Sequence, residues 1–207
     1  RLAAFISIWC YWVSCWITNA AIAIGVVGYL GKVLPGLEAF PPAALAMADA
    51  AQRVGMYFVD APLGRTPIEA EAGALDTMVG ADEATFARIQ PVLATWAANI
   101  VHLGPVGLGH KMKLINNFVA MGFAALFSEA LAISRKAGLS TEQFHTVIGS
   151  GRMRSPFYDT FMKWTMDGDV NAHRFTISNA HKDMRYLSSL ANEIGAGTVP
   201  AEFAMLY

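Results

Sequence analysis

The sequence predicts an α/β segment followed by an all-helical one, and three observations carry that prediction. Between residues 56 and 104, short apolar runs bounded by Gly, Pro and Asp alternate with a helical pattern. Glycines at 104, 107 and 109 then open directly into a long apolar segment that runs to Lys136. Beyond it the punctuation is helical: Ser140-x-x-Gln143, Ser155-Pro156, and Gly195 after a last amphipathic run. With 207 residues, 55% of them hydrophobic, the chain has material for one large core or two small ones. A formal net charge of -1 without a basic run argues against nucleic acid and towards a small-molecule partner.

Taken in order, Pro41 and Pro42 suit the first turn of an alanine-rich helix from Ala43 to Arg53, which Gly55 ends. Met56 to Val59 reads as a short strand. Asp60-Ala61-Pro62 stops it where the carboxyl end of a sheet would face a ligand crevice. Thr77 to Gly80 is a second strand-like run, Ala81 to Ala98 a helix with Asp82 and Glu83 near its positive end, and Val101-His102-Leu103 a last strand. Leu108 to Lys136 reads as one helix, apolar on nearly all sides in its middle and so expected to be buried among other helices. Arg135 and Lys136 suit its end, Gly138 is a C-cap candidate, and Ser140 with Gln143 makes a capping box for the next helix. Ser155-Pro156 starts a helix to about Met166, Asp167-Gly168-Asp169 is a turn, Phe175 to Ile194 is another helix, and a final one starts at Pro200.

The chemistry concentrates at the mouth of the long helix. Lys113 and Asn117, four residues apart, share a face with Asn116 beside them, and from Leu114 to Phe127 there is no charge. Two explanations fit that spacing. Lys113 snorkels to water while the asparagines bridge neighbouring segments, or a lysine in a low-dielectric cleft exchanges a proton with a substrate oxygen.

The pattern Gly109-x-x-x-Lys113-x-x-Asn116-Asn117 resembles the catalytic signature of the β-hydroxyacid dehydrogenases, the family that includes 3-hydroxyisobutyrate dehydrogenase and tartronate semialdehyde reductase. Asp60-Ala61-Pro62 through Val79-Gly80 resembles the same family, whose common substrate loop is Asp-Ala-Pro-Val-Ser-Gly-Gly. Here Gly64, Arg65 and Thr66 stand at the Ser-Gly-Gly positions, as in the branch containing sulfolactaldehyde reductase. An arginine there is either a solvated turn residue or a planar, permanently charged fork for an anionic tail, and the resemblance favours the second.

That resemblance is collinear from about Gly55 to Tyr207 and poor before it. It implies a partial Rossmann-type nucleotide-binding domain over residues 1–104 and an all-helical, 6-phosphogluconate dehydrogenase-like domain over residues 105–207 that is cut off at Tyr207. It also implies NAD or NADP as cofactor, a small anionic substrate, and a homo-oligomer, dimer or tetramer. Lys113 and Asn117 take the catalytic roles, and Gly64, Arg65, Thr66, Asn116 and Asp183 the substrate-binding ones. Lys182 and Phe175 are assigned to the cofactor. The reaction implied is hydride transfer between a nicotinamide ring and a small 3-hydroxy acid or sulfonate analogue, giving its semialdehyde. Arg65 and Lys182, if near Lys113, would depress its pKa, and Asp183 would oppose them.

No Gly-x-Gly-x-x-Gly stands at a strand-to-helix turn; Gly25, Gly28 and Gly31 do not match that fingerprint. Either the chain begins after that loop, or its early portion departs from the family. Residues 2–31 carry no charge or histidine, which satisfies the length and polarity test for a membrane span. Ser7, Ser14, Thr18 and Asn19 interrupt the run, so a buried parallel strand, a loop and an apolar helix are preferred. Cys10 and Cys15 suggest buried thiols in a cytoplasmic protein rather than a disulfide or zinc site, and the five histidines have no metal-ligand spacing. Two other classes stay open: a non-catalytic helical assembly module, and a membrane-tethered protein held through residues 2–31.

Overall fold

The protein is described by a computed structural model that covers residues 40–172 and 175–196. The uncharged stretch at 2–31, Cys10, Cys15, His173 and the helix expected from Pro200 lie outside the described residues.

The first of the described helices, α1, runs Phe40–Arg53, with an Asp49–Arg53 ion pair one turn apart near its end. Met56 to Val59 does not form a strand. Its continuation Asp60 makes only an isolated antiparallel bridge with Gly80, and the chain then forms a two-residue strand, β1 (Leu63–Gly64). A one-turn helix, α2 (Pro67–Glu71), follows, and then β2 (Leu75–Gly80), α3 (Glu83–Leu93) and β3 (Ala97–Gly104). The described sheet has the order β1-β2-β3, antiparallel between the first two and parallel between the last two. β2 is buried along most of its length, as a strand covered on both faces must be.

The helix expected over Ala81 to Ala98 is shorter at both ends. Asp82 is its N-cap, accepting from the Thr85 N–H at 2.9 Å, and the helix stops at Leu93 because the following residues enter β3, where Ala97 pairs with Leu75. The crossover from β2 through α3 to β3 is a β-α-β unit, and Val79, Ala81 and Leu93 bury the space between them with Phe86, Ile89 and Trp96 packed around.

The long helix, α4, spans Leu108–Lys136, the bounds its sequence signals give. Gly138 adopts a left-handed conformation just past its end, where a side chain would be strained. Three helices complete the described fold: α5 (Thr141–Ser150), α6 (Pro156–Asp167) and α7 (Ile177–Glu193). The Ser140/Gln143 capping box is formed, Ser155 caps α6, and Thr176 caps α7. Two clusters hold these helices to α4. Leu114 packs with Met184, Leu187 and Leu190 of α7, and Phe127 packs with Tyr158 and Met162 of α6. The fully buried Tyr158 also hydrogen-bonds His145 at 3.1 Å, tying α6 to α5.

One expectation fails for α4. Its middle is not buried on all sides: Val119, Phe123 and Leu126 are exposed although their neighbours Leu114, Phe127 and Leu131 are buried. The packing partners α6 and α7 cover one side, Phe123 reaches Phe157 of α6 from the edge of it, and the side through Val119 and Leu126 stays apolar and open. By length and composition α4 could cross a membrane, yet its other side carries the core just described.

Candidate active site

The first turn of α4 is placed by glycines and by one buried carboxylate. Gly107, the N-cap residue, is left-handed and supplies no side-chain cap, so the orphan N–H groups of the helix need an acceptor from elsewhere. Asp60 provides it. The Gly107 N–H donates to Asp60 Oδ1 at 2.7 Å and the His110 N–H to Oδ2 at 2.8 Å. The carboxylate is 2% exposed and sits where the helix dipole favours negative charge. A Cβ at Gly109 would lie 2.4 Å from the Met78 carbonyl, and one at Gly80 would lie 2.2 Å from Asp60 Oδ1, so no side chain fits at either position.

Sequence reasoning took Asp60 as a strand terminus and missed this capping role. The available signal was a helix start with glycine and no Ser, Thr, Asp or Asn at its cap position. His110 lies beside the same carboxylate, its Nδ1 3.5 Å from Asp60 Oδ2. Burial lowers its pKa, and Asp60 opposes that shift.

One turn further on, Lys113 is half-buried on the side of α4 that meets α7. Burial lowers its pKa from the ordinary lysine value; Asp183 pulls it up and Lys182 pushes it down. The signs expected for Asp183 and Lys182 are both present, but the largest cause is desolvation, and Arg65 is not among the causes. Asn117 is buried and donates its amide to Asp183 Oδ2 at 2.7 Å. Lys182 Nζ lies 3.1 Å from Asp183 Oδ1. Asp183 is 8% exposed, so Lys182 and Asp183 are not the solvated pair that adjacent opposite charges usually make. The structure therefore brings Lys113, Asn117, Lys182 and Asp183 together.

The remaining residues sit apart from that cluster in what they touch. Asn116 is exposed on α4, and Phe175 is exposed just ahead of α7. Gly64 ends β1, and a Cβ there would meet the Asp76 Cβ at 3.3 Å. Arg65 has φ 75, the one non-glycine residue with positive φ among those described, and its Nε pairs with Asp76 Oδ1 at 2.9 Å. Thr66 is the N-cap of α2: its hydroxyl accepts from the Ile68 N–H, and its own N–H donates to Glu69 at 3.0 Å. The loop thus holds an arginine in a strained backbone conformation with part of its guanidinium exposed. Among the described histidines, His102 donates to the Ala81 carbonyl at 2.7 Å and stacks on Phe86, and His181 is exposed. Among the described residues no group of three His, Cys, Asp or Glu could hold a metal ion.

A β-α-β layer thus feeds a glycine-started helix that carries a desolvated lysine beside an amide and a carboxylate. Comparison with known proteins assigns this two-part arrangement to a family. Residues 38–104 match the family model described as the NAD binding domain of 6-phosphogluconate dehydrogenase. Residues 107–205 match that described as NAD-binding of NADP-dependent 3-hydroxyisobutyrate dehydrogenase. The chain belongs to the 3-hydroxyacid dehydrogenase family, with a Rossmann-like NAD(P)-binding part followed by a helical 6-phosphogluconate dehydrogenase-like part.

Among curated relatives, the 2-(hydroxymethyl)glutarate dehydrogenase of Eubacterium barkeri is 37% identical over 194 residues, covering 88% of this chain and 63% of that protein. The 3-sulfolactaldehyde reductase of Escherichia coli K12 is 28% identical over 144 residues, covering 69% of this chain and 48% of that protein. Of solved structures, the 3-hydroxyisobutyrate dehydrogenase of Mycobacterium tuberculosis with L-serine superposes with a TM-score of 0.67 at 25% identity, over 80% of this chain and 59% of that one. The chain spans 48% and 63% of the length of the two curated relatives.

Proposed function

We propose that this chain serves an NAD(P)-dependent oxidoreductase that interconverts a small 3-hydroxy acid, or its sulfonate analogue, and the corresponding semialdehyde. The observation that carries the reading is Lys113: a lysine desolvated on a core helix, four residues from an asparagine whose amide is fixed on a buried carboxylate. In reduction Lys113 Nζ donates a proton to the substrate carbonyl oxygen, and in oxidation it receives one from the hydroxyl. A lowered pKa suits both directions, because the ammonium and the free amine come closer in population at working pH. Asn117, anchored on Asp183, keeps that face of α4 turned to the substrate, and Asp183 is available to the substrate hydroxyl. Gly64, Arg65, Thr66 and Asn116 contact the substrate, with Arg65 holding its carboxylate or sulfonate; the exposed part of the guanidinium supports that role, and Asp76 holds the side chain in place.

A nicotinamide dinucleotide, when bound, supplies or accepts the hydride. The half-exposed ammonium of Lys182 and the exposed ring of Phe175 fit such a group as a charge partner and an apolar face. The division falls at residues 104 and 105, where β3 gives way to the glycine turn. The open apolar side of α4 supports a homo-oligomer, with a second copy covering it. The protein works in the cytoplasm.

The test is a fluorescence titration of the chain with NADH and NADPH, in which its five tryptophans report energy transfer to the nicotinamide, followed by a screen of C3 and C4 semialdehydes bearing a carboxylate or sulfonate. Lys113→Ala is expected to lower turnover about 100- to 10,000-fold while sparing cofactor affinity. Unchanged turnover removes Lys113 from the acid–base role.

A further inference from the structure

Asp60 joins parts of the fold that lie far apart in sequence. It is the acceptor for two N–H groups of α4, 47 and 50 residues away in sequence, and its own backbone pairs with Gly80 through both the N–H and the carbonyl. Gly80 and Gly109 leave no room for a Cβ around its carboxylate, so the end of β2, Asp60 and the first turn of α4 touch at backbone distance. Lys113 stands three residues after His110 on the same helical turn and face. A rotation of α4 by one residue step, about 100°, would carry Lys113 off the side that meets α7.

We propose that Asp60 is a positioning residue for Lys113: by holding the Gly107 and His110 N–H groups, it fixes the rotation and depth of α4 and so keeps Lys113 beside Asn117 and Asp183. The catalytic meaning of that position rests on the acid–base reading of Lys113 given above, but the positioning itself does not.

Two roles for the carboxylate predict different outcomes at Lys113, which makes the proposal testable without turnover. If Asp60 acted only through its charge, Asp60→Asn would leave the Lys113 pKa unmoved or lower it, since Asp60 is not among the charges that shift it and the change removes an anion. If it positions α4, the same change lets the helix turn loosen and Lys113 gain water, and the pKa rises towards the ordinary lysine value of 10.5. Lys113 can be followed by NMR in the full chain with lysine labelled at Cε, its resonance assigned by its loss in Lys113→Arg. The expected result is an upward shift in Asp60→Asn; a downward or absent shift overturns the proposal.

Asn has one acceptor oxygen where Asp60 uses two and is a weaker cap for the fold, so two further measurements bear on the same point. In the unaltered chain, the amides of Gly107 and His110 should exchange with solvent on the order of a thousandfold more slowly than free amides. Rapid exchange at both would show that the cap does not hold them. Gly109→Ala keeps the carboxylate but forces α4 away from the Met78 carbonyl, and it should raise the Lys113 pKa as well. Turnover is read alongside: loss of kcat with unchanged NADH affinity in Asp60→Asn agrees with positioning. Absence of turnover in the unaltered chain counts against the acid–base reading and leaves the titration to decide on Asp60.

Discussion

Asn117 donates its side-chain amide to Asp183 at 2.7 Å and so bridges α4 and α7 across 66 residues of sequence. Both residues are buried, and Asp183 has Lys182 on its other oxygen. Asn117→Ala leaves Asp183 Oδ2 without its donor inside the helix junction. The expected cost is about 1.5–3 kcal/mol, the range for a hydrogen bond to a charged group, read as a lower urea midpoint at unchanged slope. A double-mutant cycle with Asp183→Asn should recover much of the loss, because the pair then fails together. Additive losses would mean that the two side chains do not act through one another.

Lys113 gives a stability change whose dependence on pH has a definite sign. Its folded-state pKa lies below the unfolded value of 10.5, so between the two the unfolded chain binds more protons. The charged lysine therefore works against folding at neutral pH, and that penalty is relieved as pH rises through the window. Desolvation outweighs the attraction of Asp183, as the direction of the shift requires. Lys113→Met should unfold at higher urea than the unaltered chain at pH 7, with the gap closing as pH approaches 10.5. A gap that stays level across that range would mean that Lys113 is not desolvated in the fold.

How much of this was legible in the sequence follows from how local each signal is. The bounds of α4, the Ser140/Gln143 box and the Ser155 cap were all readable because their determinants lie within a few residues of each other. Met56 to Val59 has the apolar composition of a strand yet forms none, since strand formation depends on a partner that composition does not reveal. The helix expected to reach Ala98 was cut short because pairing of Ala97 with Leu75 outweighs local helix propensity. At the site, the resemblance brought Lys113, Asn117, Lys182 and Asp183 to notice, and the fold puts them in one cluster. Asp60 was out of reach: its partners are 47 and 50 residues away, and no periodicity links a strand end to a helix cap. The exposed side of α4 was misread for a related reason, since an all-round apolar helix looks the same whether the chain itself or another molecule covers it.

Arg65 combines a left-handed backbone with an ion pair to Asp76. Arg65→Lys keeps the charge and loses the fork, whereas Arg65→Gly relieves the backbone and loses both. If the arginine holds the anionic end of the substrate, both variants should raise KM for carboxylate and sulfonate semialdehydes, by roughly ten- to a hundredfold for the glycine variant. kcat should change less, since the contact is the same in ground and transition states. KM values that do not move in Arg65→Gly would confine the arginine to its pair with Asp76.

Along α4, Met112, Val119, Leu126 and Ile133 recur every seven residues, with Ile115 and Phe123 between them, and all six are exposed. A seven-residue apolar repeat is the spacing at which one helix keeps a single face turned to another along its length. Leu126 and Ile133 are 61% and 63% exposed, far more than a single chain usually leaves its apolar helix residues when they are aligned. A second copy presenting the same stripe would cover both at once, as a two-fold interface does. Leu126→Lys puts one charge per copy into the middle of that interface. Sedimentation should then show the oligomer giving way to monomers, while far-ultraviolet circular dichroism stays helical, because Leu126 makes no part of the core that holds α6 and α7. If the variant sediments like the unaltered chain, the stripe is not where the copies meet.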